Sequence, residues 1–550
     1  MKMSPLELSR IYWDVVVIGT GMGGATLGHA LAKGGQKVLF LEKGLNYLEN
    51  PQALRGDYME CFIRDRADVN TEDAAQNSGR WRGEIFDAVR KIYTRPMLGQ
   101  GVGGSTALYG MALERFFPSD FTPKRFHQGD NNESTLPDRW PVTYAEMRPY
   151  YERAEDLYRV HSETPDPCRG GEVFHHLKKE SAHHLATQLF EKLIRFKKLH
   201  PYSVPLACDW KEDCRFCQSI LCDKDCKNDA AKICLKPAID LFNAALVTQF
   251  YVDRLNLDNG KITSVEGVWQ GQQKLQFRGR TIVLAAGALA TPLILMRSRS
   301  AQQPDGLANE SGYVGRNLMR HLIDIYLLPS IWNFAKTKVT LKEVAWNDFY
   351  EVNGVKYGTF QPLGKFPPGF IAMDEVLYEL KQTMPAWATK MFSSMLPVYE
   401  KLFDLIVQRS GCAAPILEDL PHWENRVEAM APSADGRERI AVHYRISQYD
   451  AKRLAAFRKM VSKALFPFLV FRIPASQSVK LLAHACGTAR FGDDPATSVL
   501  NKNNRAHSIN NLYVVDASFF PSSGGVNPSL TLAANSLRVA DHLMQQSFLS

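Results

Sequence analysis

The chain lacks any run of about eighteen uncharged apolar residues, so no membrane-spanning helix is expected. Its opening residues, MKMSPLELSRIY, lack the apolar core and small-residue cleavage site of a secretory signal, which points to a cytoplasmic chain. A strong excess of charge of one sign is missing too. Lys plus Arg number 66 against 58 Asp plus Glu, a net charge of +8 over 550 residues with no long basic run, and nucleic-acid binding is not expected. Simple repeats are absent, and 45% hydrophobic with 11% aromatic residues exclude a disordered or collagen-like chain. Nor are the cysteines spread as in a disulfide framework: Cys208, Cys214, Cys217, Cys222, Cys226 and Cys234 crowd together and mark a local site. At about 100 to 200 residues per domain, the length allows two to four domains, each with its own core.

What is present begins at the amino terminus. Val15 to Ile18 is a continuous apolar run, followed by the turn Gly19-Thr20-Gly21-Met22-Gly23-Gly24, an Ala/Leu-rich segment to Lys33 and a second apolar run, Val38 to Leu41. This reads as strand, glycine turn, helix, strand. Gly19 permits the tight turn, Gly21 lets the backbone approach a pyrophosphate and Gly24 lets the helix pack on the strand, with the positive helix end facing the phosphates. Glu42, at the end of the second strand, can accept hydrogen bonds from ribose hydroxyls. The motif alone fits FAD or NAD.

Four further segments decide between them. They are Gly99-Gln100-Gly101-Val102-Gly103-Gly104-Ser105-Thr106, then Ala285-Ala286-Gly287-Ala288 after the apolar run Ile282 to Leu284, then His484-Ala485-Cys486-Gly487-Thr488, and Asn511 to Ser518 leading to Asn527-Pro528-Ser529-Leu530-Thr531. Together, in this order, they resemble the glucose, methanol and choline (GMC) oxidoreductases. The resemblance implies an α/β, Rossmann-like FAD-binding domain built from separated segments (1–115, 236–330 and 478–550). It also implies an α+β substrate or cap domain with an antiparallel sheet and helices (116–235 and 331–477). Gly103, Gly104 and Ser105 would lie against the flavin, Ala286 beside the cofactor, and Asp516 at a strand end would hold the ribityl chain, unless it serves only as a cap. Pro528 opens a helix whose amino terminus would face the ring. Tyr109 replaces an Asn common in the family. No histidine lies between Gly99 and Met111, where members with tethered flavin carry one, so the FAD is expected to be non-covalent.

By the same resemblance, His484 is the general base that takes the proton of an alcohol while its hydride moves to flavin N5, and Asn527 shares the substrate oxygen. Imidazole suits the task because its ordinary pKa lies near neutrality. Taken alone, a histidine in KLLAHACGT reads as a core residue, and Asn527 as a helix cap. His321, in GRNLMRHL, also falls in a family segment and reads as structural. Cys214, Cys217, Cys222 and Cys226 are spaced closely enough to converge on an iron-sulfur cluster or zinc, while plain thiols or disulfides holding a loop are the simpler reading. The apolar stretch from Met384 to Cys412 reads as a lid over a hydrophobic alcohol, a helix packed on the second domain, or a peripheral membrane contact. The expected partners are a small-molecule alcohol and an electron acceptor (a quinone, a redox protein or O₂), with a dehydrogenase favoured over an oxidase. A lyase or photodecarboxylase on the same fold is the alternative.

Overall fold

The computed structural model describes residues 3–549 except 65, 67–69, 128–132, 171–184, 212–213, 215–216, 331–341, 343, 365–366, 372, 374–383, 432–437, 478 and 483. A parallel sheet organises the first part. Its strands are β1 (Tyr12–Ile18), β2 (Val38–Leu41), β3 (Ala245–Val247), β4 (Gln273–Leu284) and β5 (Leu512–Val514), in the order β3-β2-β1-β4-β5. Val15 pairs with Val38 on one side and Thr281 on the other, and Ile282 pairs with Leu512. Val16, Val17, Leu39, Val283 and Val514 are fully buried, which is why these strands read as unbroken apolar runs with no alternation. The early half of β4 leaves the parallel ladder and joins the antiparallel hairpin of Phe250–Asp258 and Lys261–Trp269. Two helices, α1 (Met22–Lys33) and α2 (Ser529–Leu549), pack against each other beside this sheet.

A second, antiparallel sheet takes its strands from Leu322–Ile323, Ile325–Pro329, Gly358–Gly364, Ser410–Leu417 and Phe471–Ile473. Residues 322–329, grouped by sequence with the nucleotide-binding part, therefore pair here. Glu84–Asp87 likewise runs parallel to Arg439–His443, so a strand from the first hundred residues is stitched to one from the last quarter. Each sheet has its own apolar core.

Helices Ala386–Ser394 and Leu396–Gln408 cover the stretch read as lid, packed helix or membrane contact. Phe403 and Val407 pack on Leu327 and Ile473 of the antiparallel sheet, whereas Trp387 points outward, 70% exposed. Among the described residues no helix is long and apolar enough to cross a membrane.

Candidate active site

One cleft runs across the carboxyl ends of the parallel strands, where such sheets bind ligands. Its wall begins at the first glycine turn. Gly19 has φ +103°, and a Cβ there would stand 2.3 Å from the Ala285 carbonyl oxygen. Gly21 and Glu42 also line the cleft, with Gly104 and Ser105 facing them. A Cβ on Gly104 would lie 3.0 Å from Gly21 Cα, so the two glycine segments meet with bare backbone. Ala286, Asp516, Pro528 and His484 complete the set of expected residues on its surface. Because β1 and β4 separate β2 from β5, Glu42 and Asp516 sit three strand spacings apart, roughly 14 Å, a span suited to an extended dinucleotide.

Both acids are already held. Glu42 accepts from Thr20 N (3.1 Å), Thr20 Oγ1 (2.6 Å) and Gly44 N (2.9 Å). Asp516 accepts from Gly287 N (3.0 Å) and Ser518 N (2.8 Å) and caps the short turn after it, so it caps and lines the cleft at once. Burial raises its pKa against the pull of these donors.

Three expected residues stand off the cleft surface. Gly24 lies beneath it, where a Cβ would meet Gly19 O at 2.2 Å and Ala285 Cβ at 2.8 Å, so its part is helix-on-strand packing. Gly103 faces Ala231 instead. Asn527 turns toward the antiparallel sheet: Nδ2 donates to Gln361 Oε1 (2.7 Å) and Glu114 Oε1 (3.4 Å), and Oδ1 accepts from Gln361 Nε2 (3.2 Å). Strand Gly358–Gly364 carries Gln361 against it and occupies the amide. Tyr109 also points away, its hydroxyl donating to Asn228 O (2.6 Å).

The segment bearing His484 is fixed by a backbone bridge. Cys486 N donates to Met319 O (2.8 Å) and Met319 N to Cys486 O (2.9 Å), while Thr488 Oγ1 donates to Ala288 O (2.6 Å). In this antiparallel register the residues two steps out, His321 and His484, fall opposite each other. Their Nδ1 atoms are 2.7 Å apart, with ring planes at 85°. Burial, with His321 adding to it, pushes the His484 pKa well below the usual imidazole value, and burial pushes His321 down to about 4. Both rings are neutral at ordinary pH.

Sequence reasoning missed a second group on the cleft. Glu438 bonds Lys43 Nζ (2.7 Å) and Arg297 Nη1 (3.2 Å), and Lys43 lies over the Trp81 ring (4.7 Å). Burial would raise the Glu438 pKa, but Lys43 and Arg297 outweigh it and pull it to about 2. No local motif marks Glu438, which arrives from the distant strand pairing of Arg439–His443. Two buried donors here, Trp81 Nε1 and Arg297 Nε, have no hydrogen-bond partner among the described residues, as expected of a cradle built for a ligand rich in acceptors. Together with the bare glycine contacts and the amino terminus of α2 at Pro528 and Ser529, these donors fit a flavin dinucleotide.

The clustered cysteines make contiguous contacts, with Cys226 N donating to Cys222 Sγ (3.4 Å). Cys217, Cys222 and Asp223 place their ligand atoms within 4.8 Å of one another, while Cys214 sits against Cys208 and Cys226. Among the described residues the metal-ligating set is two thiols and a carboxylate, short of the four thiolates usual for a structural zinc or iron-sulfur centre.

Known proteins give a consistent picture. Family models for GMC oxidoreductases match residues 16–323 and 421–536. Paromamine 6'-oxidase of Streptomyces fradiae is 29% identical, the match covering 96% of this chain and 90% of that protein. A 2-methyl-1,2-propanediol dehydrogenase of Mycolicibacterium austroafricanum is 26% identical (97% and 95% covered), and the fructose dehydrogenase large subunit of Gluconobacter japonicus 24% (96% and 97%). In fold, the chain is similar to pyridoxine 4-oxidase from Mesorbium loti, with a TM-score of 0.62 at 20% identity over 96% of this chain and 99% of that one. It is also similar to Aspergillus oryzae RIB40 formate oxidase, with a TM-score of 0.64 at 15% identity over 97% and 98%. With its glycine-lined cleft and its match to both family segments, one of them spanning more than half its length, the chain belongs to the GMC oxidoreductase family.

Proposed function

We propose that this chain oxidises a CH–OH group of a small hydroxylated substrate to a carbonyl, with His484 as the base that accepts the hydroxyl proton. The observation that carries this reading is the imidazole of His484, its pKa pushed down by burial, on the surface of a cleft whose other walls suit a flavin dinucleotide. Relatives named for paromamine, a propanediol and fructose support a polyhydroxylated substrate over a long-chain or steroid alcohol. The proposed division of labour gives the dinucleotide to the parts around the parallel sheet and the substrate to the antiparallel sheet.

Bound FAD supplies the two-electron acceptor for the substrate hydride. The chain's own residues do the rest. Bare backbone at Gly21 and Gly104 would let the cofactor lie close, Glu42 would accept from a ribose and Asp516 from the ribityl chain, and the amino terminus of α2 would favour negative charge beside it. A neutral His484 can take a proton at once, with no prior deprotonation. Asn527 reaches a substrate oxygen only by giving up a bond to Gln361 or Glu114, so the base carries the proton chemistry alone.

An anaerobic panel of polyols, sugars and simple alcohols, scored by bleaching of the bound flavin, tests the proposal. Bleaching by at least one hydroxylated substrate is expected, and reoxidation by dye or quinone faster than by O₂ would mark a dehydrogenase. Flavin that stays oxidised throughout the panel would favour a lyase or photodecarboxylase.

A further inference from the structure

His321 and His484 share one short contact, and its chemistry fixes where the protons sit. Two Nδ1 atoms at 2.7 Å cannot both carry hydrogen, nor can both present lone pairs, so one donates and the other accepts. The other nitrogen of His321 decides which. His321 Nε2 lies 3.0 Å from the Gly524 carbonyl oxygen and 3.2 Å from that of Ser523, and carbonyls only accept. Its hydrogen therefore resides on Nε2, leaving a lone pair on Nδ1. That lone pair takes the Nδ1–H of His484, and the Nε2 of His484 is left unprotonated.

The carbonyls that set this chain of bonds are themselves held. Ser523 Oγ donates to Asp419 O (2.9 Å) and accepts from Asp419 N (3.0 Å), and Gly525 N donates to Tyr350 Oη (2.9 Å). Tyr350 in turn donates to Asp120, which pairs with the fully buried Lys356. The loop from Ser523 to Gly525 is thus anchored to the antiparallel sheet through buried charges, and it presents two oxygens and no donor to His321.

We propose that His321 is a positioning residue that fixes the tautomer of His484, keeping the lone pair on Nε2 and the proton on Nδ1. The inference rests on the reading of His484 as base and specifies which atom does the work. It also accounts for the protonated state of the base: an imidazolium at His484 keeps its Nδ1–H bond to His321, so the charged ring needs no reorientation. Imidazole held in the opposite tautomer would present N–H to a substrate hydroxyl and could accept nothing, a fault that costs a histidine base about 10⁴-fold in the serine-protease case.

Nuclear magnetic resonance of the FAD-loaded protein with nitrogen-labelled histidine reads the tautomers directly. The expected result is a proton on Nδ1 of His484 and on Nε2 of His321 at neutral pH, and a proton on Nε2 of His484 would overturn the proposal. Two variants add a kinetic readout. His321→Leu removes the acceptor and is expected to slow anaerobic flavin bleaching by about 10²-fold or more, with FAD still bound. His321→Gln, whose amide can donate to the carbonyls and accept from His484, is expected to recover most of that loss. Equal rates for the Leu variant and the unmodified enzyme would reduce His321 to packing. Failure of the base reading shows separately, as an intact rate in His484→Ala, whatever the tautomer spectrum reports.

Discussion

His484→Ala is expected to slow anaerobic flavin reduction by about 10²- to 10⁴-fold, the usual worth of a positioned general base, while FAD content stays unchanged. The two halves of this expectation come from different parts of the structure. His484 lines the cleft but belongs to none of the contacts that close the glycine turns or hold Glu42 and Asp516, so its loss should leave the cofactor in place. Its neutral state follows from burial, and no other titratable group of the described cleft offers an unprotonated imidazole. Glu42 and Glu438 are engaged by Thr20 and by Lys43 with Arg297, and Asp516 by backbone donors. Stopped-flow absorbance against a flavin-content assay separates the two halves. A variant that bleaches at the unmodified rate would remove His484 from the chemistry, and one that loses FAD would make it a cofactor residue.

Gly19→Ala is expected to be strongly damaging, because it combines a strained backbone with a backbone clash. The backbone there is left-handed at φ +103°, and the added Cβ would stand 2.3 Å from Ala285 O and 2.7 Å from Ala285 C, neither of which is a flexible side-chain end. Relief requires β1 and the end of β4 to part at the point where both feed the cleft. Gly35 provides the comparison: its φ is +84°, but nothing lies within 4 Å of a Cβ, so Gly35→Ala bears only the conformational cost of about 1 to 2 kcal/mol. Overpacking adds about 1 to 3 kcal/mol more at Gly19. Thermal melts should rank the two variants in that order, and only Gly19→Ala should lose FAD on gel filtration. Equal melting points with full FAD would mean that the turn yields where the contact distances say it cannot.

The legibility of this molecule depends on how local each signal is. The run Val38 to Leu41 is read to the residue, and α1 ends at Lys33 as its composition suggests, because a buried parallel strand and a short apolar helix announce themselves without their neighbours. The glycine roles at 19, 21 and 24 come from the same compact unit. What escapes is set by register between distant segments. His321 reads as structural because nothing within GRNLMRHL foretells that Met319 will bridge to Cys486 and bring His321 onto His484. Asn527 is legible as a polar residue before a helix, but Gln361, which takes its amide, comes from a strand some 166 positions earlier. Glu438 likewise becomes a cleft residue only through the pairing of Arg439–His443 with Glu84–Asp87. The cysteines are legible as a local cluster, but which of them meet is set by the chain path: Cys217 and Cys222 lie beside Asp223, and Cys214 lies against Cys208 and Cys226.

The central claim is that a carbinol C–H bond breaks in this cleft with His484 taking the hydroxyl proton. Its most direct test is the rate of anaerobic bleaching by a reactive alcohol, compared with the same alcohol carrying deuterium at the carbinol carbon. A clearly slower rate with the deuterated alcohol, retained in the much slower His484→Ala variant, is the predicted result. Bleaching with no dependence on that isotope, or an unaltered rate without the imidazole, would contradict it.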